Sequence, residues 1–167
     1  MNAEVMAIAL AALAGVLTYS GQRLAEYEAA RSREFAEALA AVQKWIEAPY
    51  RVRRRAPVDE ARYALASKIA DLQEEIRLHE SWIRIESTHV AAVYSALVKA
   101  ARNATREHLR TAWEAPPPAT DRDMNLYNDA PKIDVSREID AYVGAVRSRF
   151  GLWRRLRFLI TCGLWRP

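Results

Sequence analysis

Residues able to do chemistry are few in this chain and poorly grouped. Glu86-x-x-His89 has the spacing that puts a carboxylate and an imidazole on one helix face. Di-iron carboxylate bundles use that pair twice, with two further glutamates from other helices. A second copy is missing here. His79 precedes Glu86 by about two turns, near 10 Å along a helix axis, too far to share one ion with it. His79-Glu80-x-x-Ile83 places an isoleucine where the His-Glu-x-x-His pattern needs its second histidine. The polar pair therefore reads as a register-setting layer in a helical seam, and no metal or cofactor is expected.

Cys162 lies among arginines, which favour a thiolate, but no histidine is near it in sequence to act as a base. As the lone cysteine it forms no internal disulfide, which suits a cytoplasm-facing body, and nothing in the sequence requires a lipid on it. The chain has no Gly-rich phosphate loop, zinc spacing or nucleophile elbow, and five glycines are too few for most such loops. The expectation is a non-enzymatic protein with no catalytic residue and no small-molecule substrate. Asn103-Ala104-Thr105 matches a glycosylation acceptor, but mid-helix it reads as chance.

Arg51, Arg53, Arg54 and Arg55 form a dense basic cluster. At a hairpin tip they would meet phosphates of nucleic acid or an acidic partner. As a solvated turn they would supply cations to the end of the preceding helix. The formal net charge of +4 is modest, so such local patches matter more than the total.

The elements that position these residues are helical. Alanine and arginine are abundant, and no run alternates apolar and polar residues at period two, so the fold class is all-α. From Pro57 to Glu114 a seam of Leu65, Ile69, Leu72, Ile76, His79, Ile83, Glu86, Val90, Val93, Leu97, Ala100 and Ala104 steps four, three, four, three. This predicts one long helix, roughly 80 Å if straight. A second stripe, Leu78, Trp82, Ile85, His89, Ala92 and Ala96, needs a third helix or a second copy of the chain to cover it.

Upstream, Phe35, Leu39, Val42 and Ile46 line a helix that Pro49 ends. The predicted architecture is a long antiparallel helical hairpin over 22–114, with its turn at 49–57. Facing residues then sum to about 106, given equal rise in both arms, which sets Val5–Tyr19 against Ser87–Ala101. That pairing conflicts with a membrane-bound N-terminus unless the long helix bends or breaks near Glu86–Thr88, or the arms diverge.

The ends carry the lipid-compatible residues. Val5–Tyr19 is the only sustained apolar run, close to the shortest length that spans a bilayer. Residues 1–21 are thus expected to form an apolar transmembrane anchor contacting lipid through Val5, Ile8, Leu10, Leu13, Val16 and Leu17. Arginines follow the run rather than precede it, which places the body in the cytoplasm and argues against a signal peptide. Residues 115–134 read as a Pro-rich linker whose Met124, Leu126 and Tyr127 dock on the bundle. Residues 135–167 read as short amphipathic helices. The first is capped by Asp134 and lined by Ile139, Tyr142, Val143, Val146 and Phe150, and covers the second stripe; it ends at Gly151. The second lies in the membrane interface through Trp153, Arg154, Arg155, Leu156, Arg157, Leu159, Ile160 and Trp165.

These features predict a single-pass cell-membrane protein that acts as a scaffold or recruits a partner. Trp82, Ile85, Arg51, Arg53, Arg54 and Arg55 are its contact surface, and a protein partner or self-association is expected. Two alternatives stand beside this reading. One is a soluble, cytoplasmic helical bundle that binds nucleic acid or an acidic partner through its basic patches. The other is a small oligomeric protein that perturbs the bilayer.

Overall fold

A computed structural model describes the backbone of residues 3–120 and 133–163, and the side chains of 14–16, 18–120 and 133–150. Five helices are found among the described residues: α1 (Ala3–Ile46), α2 (Ala48–Arg53), α3 (Asp59–Glu86), α4 (Thr88–Glu114) and α5 (Ser136–Gly163). The chain is all-α, and it divides into two compact units, Met1–Ala36 and Glu37–Pro167.

The first unit is the N-terminal part of α1, which runs through Gly21 without a break. Of its described large apolar side chains, Val16, Tyr19, Leu24 and Tyr27 are exposed and Phe35 is buried. Arg23 donates from Nε to the Tyr19 hydroxyl at 3.0 Å, and its guanidinium lies 5.5 Å from that ring. One spacing further on, the Arg31 guanidinium stacks 3.9 Å from the centre of the Tyr27 ring.

Within the second unit, the expected long helix is in fact two. Ser87 adopts an extended conformation (φ −164°, ψ 113°) between α3 and α4. No glycine or proline marks this point. The backbone accounts for itself instead: Ser87 N–H donates back to the Ile83 carbonyl at 2.8 Å, and Ala91 N–H donates to the Ser87 carbonyl at 2.9 Å. The Ser87 hydroxyl accepts from Val90 N–H at 3.4 Å, a serine N-cap that satisfies a donor the new helix would otherwise leave open. Only one residue leaves helical geometry, so the break is inexpensive. The return is burial, since α3 and α4 pack against each other. Leu72, Ile76 and Ile83 are buried from one side and Val90, Leu97 and Ala101 from the other. Fully burying one such aliphatic side chain contributes about 1.5–3 kcal/mol. The Ser95 hydroxyl donates to the Glu80 carboxylate, residues about two turns either side of the break, so the two helices run antiparallel.

The turn expected at 49–57 contains a helix. Pro49 falls in the first turn of α2, where its missing N–H has no intrahelical partner to lose. α2 packs on α4 with Ala48, Pro49 and Val52 buried. The end of α1 joins the same core. Tyr94 donates from its hydroxyl to the Ala38 carbonyl at 3.1 Å, and the Trp45 indole N–H donates to Thr105 Oγ1 at 2.9 Å. Thr105 Oγ1 in turn donates to the Ala101 carbonyl at 2.8 Å, so this buried hydroxyl is fully used. Lys44 pairs with Glu75 of α3 at 2.9 Å.

α5 packs against α4. The rings of Tyr94 and Tyr142 meet at 5.4 Å and 50°, and Arg149 pairs with Glu86 at 2.9 Å. Asp134 caps this helix as its position suggests: its Oδ1 accepts from Ser136 N–H at 3.0 Å and from the Ser136 hydroxyl. Those bonds hold its carboxyl below the usual range. Two expectations for this region require correction. Gly151 does not end the helix, which runs on to Gly163, so the C-terminal part is one long helix rather than short ones. A mid-helix glycine costs only about 1 kcal/mol relative to alanine. Ending a helix at glycine usually takes a left-handed backbone, and no described residue has one. Nor does α5 cover the second stripe, since Ile85 and Leu78 are 85% and 63% exposed. It packs on α4 instead, where Tyr142 meets Tyr94.

Among the described residues, no helix is long and apolar enough to cross a membrane, so the expected transmembrane helix finds no support there. Most of the side chains assigned to it, Val5, Ile8, Leu10, Leu13 and Leu17, lie outside the described side chains, while Val16 is exposed. The assigned side chains of Trp153, Arg154, Arg155, Leu156, Arg157, Leu159 and Ile160 also lie outside that description, as does Trp165 with its backbone. The docking expected of Met124, Leu126 and Tyr127 falls outside the described residues too.

Candidate interaction surfaces

The polar layer of the seam is structural in form. Glu86 ends α3 and His89 lies in the first turn of α4, on the far side of extended Ser87. The helical i,i+3 relation that would bring them together is therefore broken. Glu86 turns to Arg149, with 12% of its side chain exposed, while His89 is exposed. No cluster of three or more metal-ligating side chains occurs among the described residues.

The arginine cluster divides into two kinds. Arg55 reaches across to the C-terminus of α4 and donates to four carbonyls. Nη1 bonds Val52 at 3.0 Å and Ala112 at 2.8 Å, and Nη2 bonds Trp113 at 3.2 Å and Ala115 at 2.8 Å. Its guanidinium also lies 5.5 Å from the Trp113 ring. A planar cation with a fork of donors suits a helix C-terminus, where unsatisfied carbonyls concentrate partial negative charge. Arg53 donates from Nη1 to the Pro116 carbonyl at 3.3 Å, just beyond the same helix end. Arg51 and Arg54 are exposed and form no ion pair among the described residues.

A further basic surface lies on the outer face of α4, where Lys99, Arg102 and Arg106 are exposed at i, i+3 and i+7. None of the three forms an ion pair among the described residues. Arg110, next along, is held by Glu107 and Glu114, at 2.5 Å and 2.7 Å. The concentration of arginine at 102–110 was visible in the sequence, but which of them are neutralised depended on neighbours one turn away.

Among the described residues of the second unit, the outer face of α3 groups the most exposed large apolar side chains. Ile85 and Leu78 stand on it with Tyr63, which is 74% exposed. Trp82, predicted to share this surface with Ile85, is half-buried at its edge. Tyr63 lies off the main seam and off the continued second stripe, whose steps run back through Glu75, Asp71, Lys68 and Ala64, so no periodic signal in the sequence marks it. Between these side chains the face carries Ser67, Ala70, Glu74 and Ser81, all exposed.

The chain matches no known family model. No curated protein and no solved structure matches it either.

Proposed function

We propose that this protein is a non-enzymatic, membrane-associated helical scaffold. Its N-terminal run Val5–Tyr19 sits in lipid, its helical body lies on the cytoplasmic side, and the outer face of α3 receives a partner. The observation that carries the membrane reading is the paired Tyr19–Arg23 and Tyr27–Arg31 ladder that follows the apolar run. Exposed tyrosines with guanidinium groups against their rings are the residue types that suit the lipid headgroup level, where one end of a side chain is wet and the other apolar. The organisation of the second unit supports the same reading. Val90, Tyr94, Leu97 and Val98 are buried, and α4 packs against α2, α3 and α5. Alkaline carbonate extraction of membranes tests the proposal: the full-length chain stays with the membrane fraction. Release into the supernatant would overturn it.

A second reading rests on Lys99, Arg102 and Arg106. Three exposed cations along about 10 Å of helix suit a line of phosphates, and nucleic-acid binding through them would weaken steeply with salt. Retention on an anionic nucleic-acid column at low salt, lost in the R102A/R106A variant, would favour it over the scaffold.

A further inference from the structure

We infer that the outer face of α3 binds a second copy of this chain as an antiparallel helix pair, related by a two-fold axis beside position 76. The inference deepens the scaffold reading, from which it takes only that this face recruits a partner.

Ile85 and Leu78 are large aliphatic side chains left in water on a helix whose opposite face is well buried. Such residues are knobs, and a knob needs a hole made by four residues at i, i+3, i+4 and i+7 of a facing helix. The same α3 face offers two such holes in exposed positions. Tyr63, Ala66, Ser67 and Ala70 frame one, and Ala70, Gln73, Glu74 and Arg77 frame the other. The first is made of small residues walled by one aromatic ring, a fit for the branched tip of isoleucine.

The spacing selects one arrangement. In an antiparallel pair, facing residue numbers sum to a constant. Taking that constant as 152 sets Ile85 over the hole centred on Ser67, and Leu78 over the hole centred on Glu74. Ala70 then lies within one residue of Ser81, so the backbones meet through small side chains. The same sum brings Glu74 of one copy beside Arg77 of the other, and by symmetry the contact occurs twice. Neither side chain has an ion pair among the described residues, so both are free to make it. A parallel in-register pair would instead set Glu74 on Glu74 and Arg77 on Arg77. The antiparallel interface is self-complementary and closes at two copies.

Cysteine pairing in the full-length chain, with Cys162→Ser and purified in mild detergent, tests this directly. Positions 70 and 81 are about 16 Å apart along one helix, beyond disulfide reach within a copy. The A70C/S81C variant is therefore expected to form a disulfide-linked dimer under mild oxidation, while A70C alone does not. Efficient linking of A70C alone would indicate parallel pairing and overturn the proposal, as would absence of dimer in the double variant. Charge exchange gives an independent check by sedimentation. E74R and R77E each weaken the dimer about tenfold or more, and E74R/R77E recovers it; a double variant weaker than both single ones would also overturn the proposal. Ile85→Asp abolishes the dimer while the protein still sediments with carbonate-washed membranes, so loss of pairing and loss of anchoring are read separately.

Discussion

Replacing Arg55 by methionine separates a structural arginine from a recruiting one. Methionine keeps much of the aliphatic stem and removes the guanidinium, leaving the carbonyls of Ala112, Trp113 and Ala115 without the donors seen at 2.8, 3.2 and 2.8 Å. A hydrogen bond to a charged group contributes about 1.5–3 kcal/mol, but several to one side chain are not additive. These carbonyls lie near a helix end that water reaches in part, so partial resolvation offsets some of the loss. A net destabilisation of about 2–3 kcal/mol follows. At roughly 2–4 °C per kcal/mol for a domain of this size, Tm falls by about 5–10 °C. Arg55→Lys keeps the charge but not the fork, and loses about half as much. Arg51→Ala and Arg54→Ala, exposed and without ion pairs among the described residues, stay within about 0.5 kcal/mol. Thermal unfolding followed by far-ultraviolet circular dichroism measures all four. If Arg55→Met matched the Arg51 and Arg54 variants, the guanidinium would not be holding α4, and the reasoning from geometry would fail.

Thr105→Val keeps the shape but strands the Trp45 indole N–H in a buried site, and is expected to cost about 1–3 kcal/mol in urea unfolding. Thr105→Ser, which retains the acceptor, costs about 1 kcal/mol for the lost methyl group. Burial pushes the phenols of Tyr94 and Tyr142 well above their ordinary value of 10.0, with Tyr142 and Glu80 adding to the shift at Tyr94. Their folded pKa is raised, so the neutral-phenol contribution is fully present below pH 10 and is lost as pH rises from there toward the folded values. Unfolding free energy therefore falls above pH 10, and Tyr142→Phe makes the fall shallower; an unchanged slope in a series of urea titrations would count against it. Removing Arg149 leaves a Glu86 carboxylate that is 12% exposed without that partner. R149A is expected to raise amide hydrogen exchange across 136–150, with a coupling to E86A of about 1 kcal/mol in a double-mutant cycle.

Much of the architecture is legible in the residues themselves, and what is not has a common cause. The seam from Leu65 to Ala104 correctly identifies the faces that bury Leu72, Ile76, Ile83, Val90 and Leu97. Periodicity cannot tell one helix from two that share a phase, because the apolar spacing passes through Ser87 unchanged. The decision between them is tertiary: folding back lets α3 and α4 bury each other, whereas a straight rod leaves that surface to a partner. The local sign is only a serine followed by threonine at the end of the polar layer, a weak cap signal without a glutamate three residues on. Gly151 is the reverse case. It carries a strong local stop signal that the continuing helix overrides, because propensity shifts the balance by about 1 kcal/mol and a turn requires more than that.

The candidate surfaces divide along the same line. Ile85 was recognisable as lying outside the main seam, but the sequence set a C-terminal helix over its stripe, and its exposure follows from α5 packing on α4 instead. Arg55 was grouped with Arg51 and Arg54 because composition treats adjacent arginines alike. What distinguishes them is the C-terminus of α4, some 57 residues further along, which no local pattern could bring into the argument. The consequence bears on function. If Arg55 and Arg53 were free, the tip would be a four-arginine patch and the natural guess would be nucleic acid. With both directed at carbonyls of this chain, Arg51 and Arg54 remain, and the larger free cationic line moves to Lys99, Arg102 and Arg106 on another helix. The apolar α3 face and the basic α4 face are then separate surfaces of one bundle. Substitutions on one leave the other intact, which makes the choice between a self-pairing scaffold and a phosphate-binding bundle an experimental one.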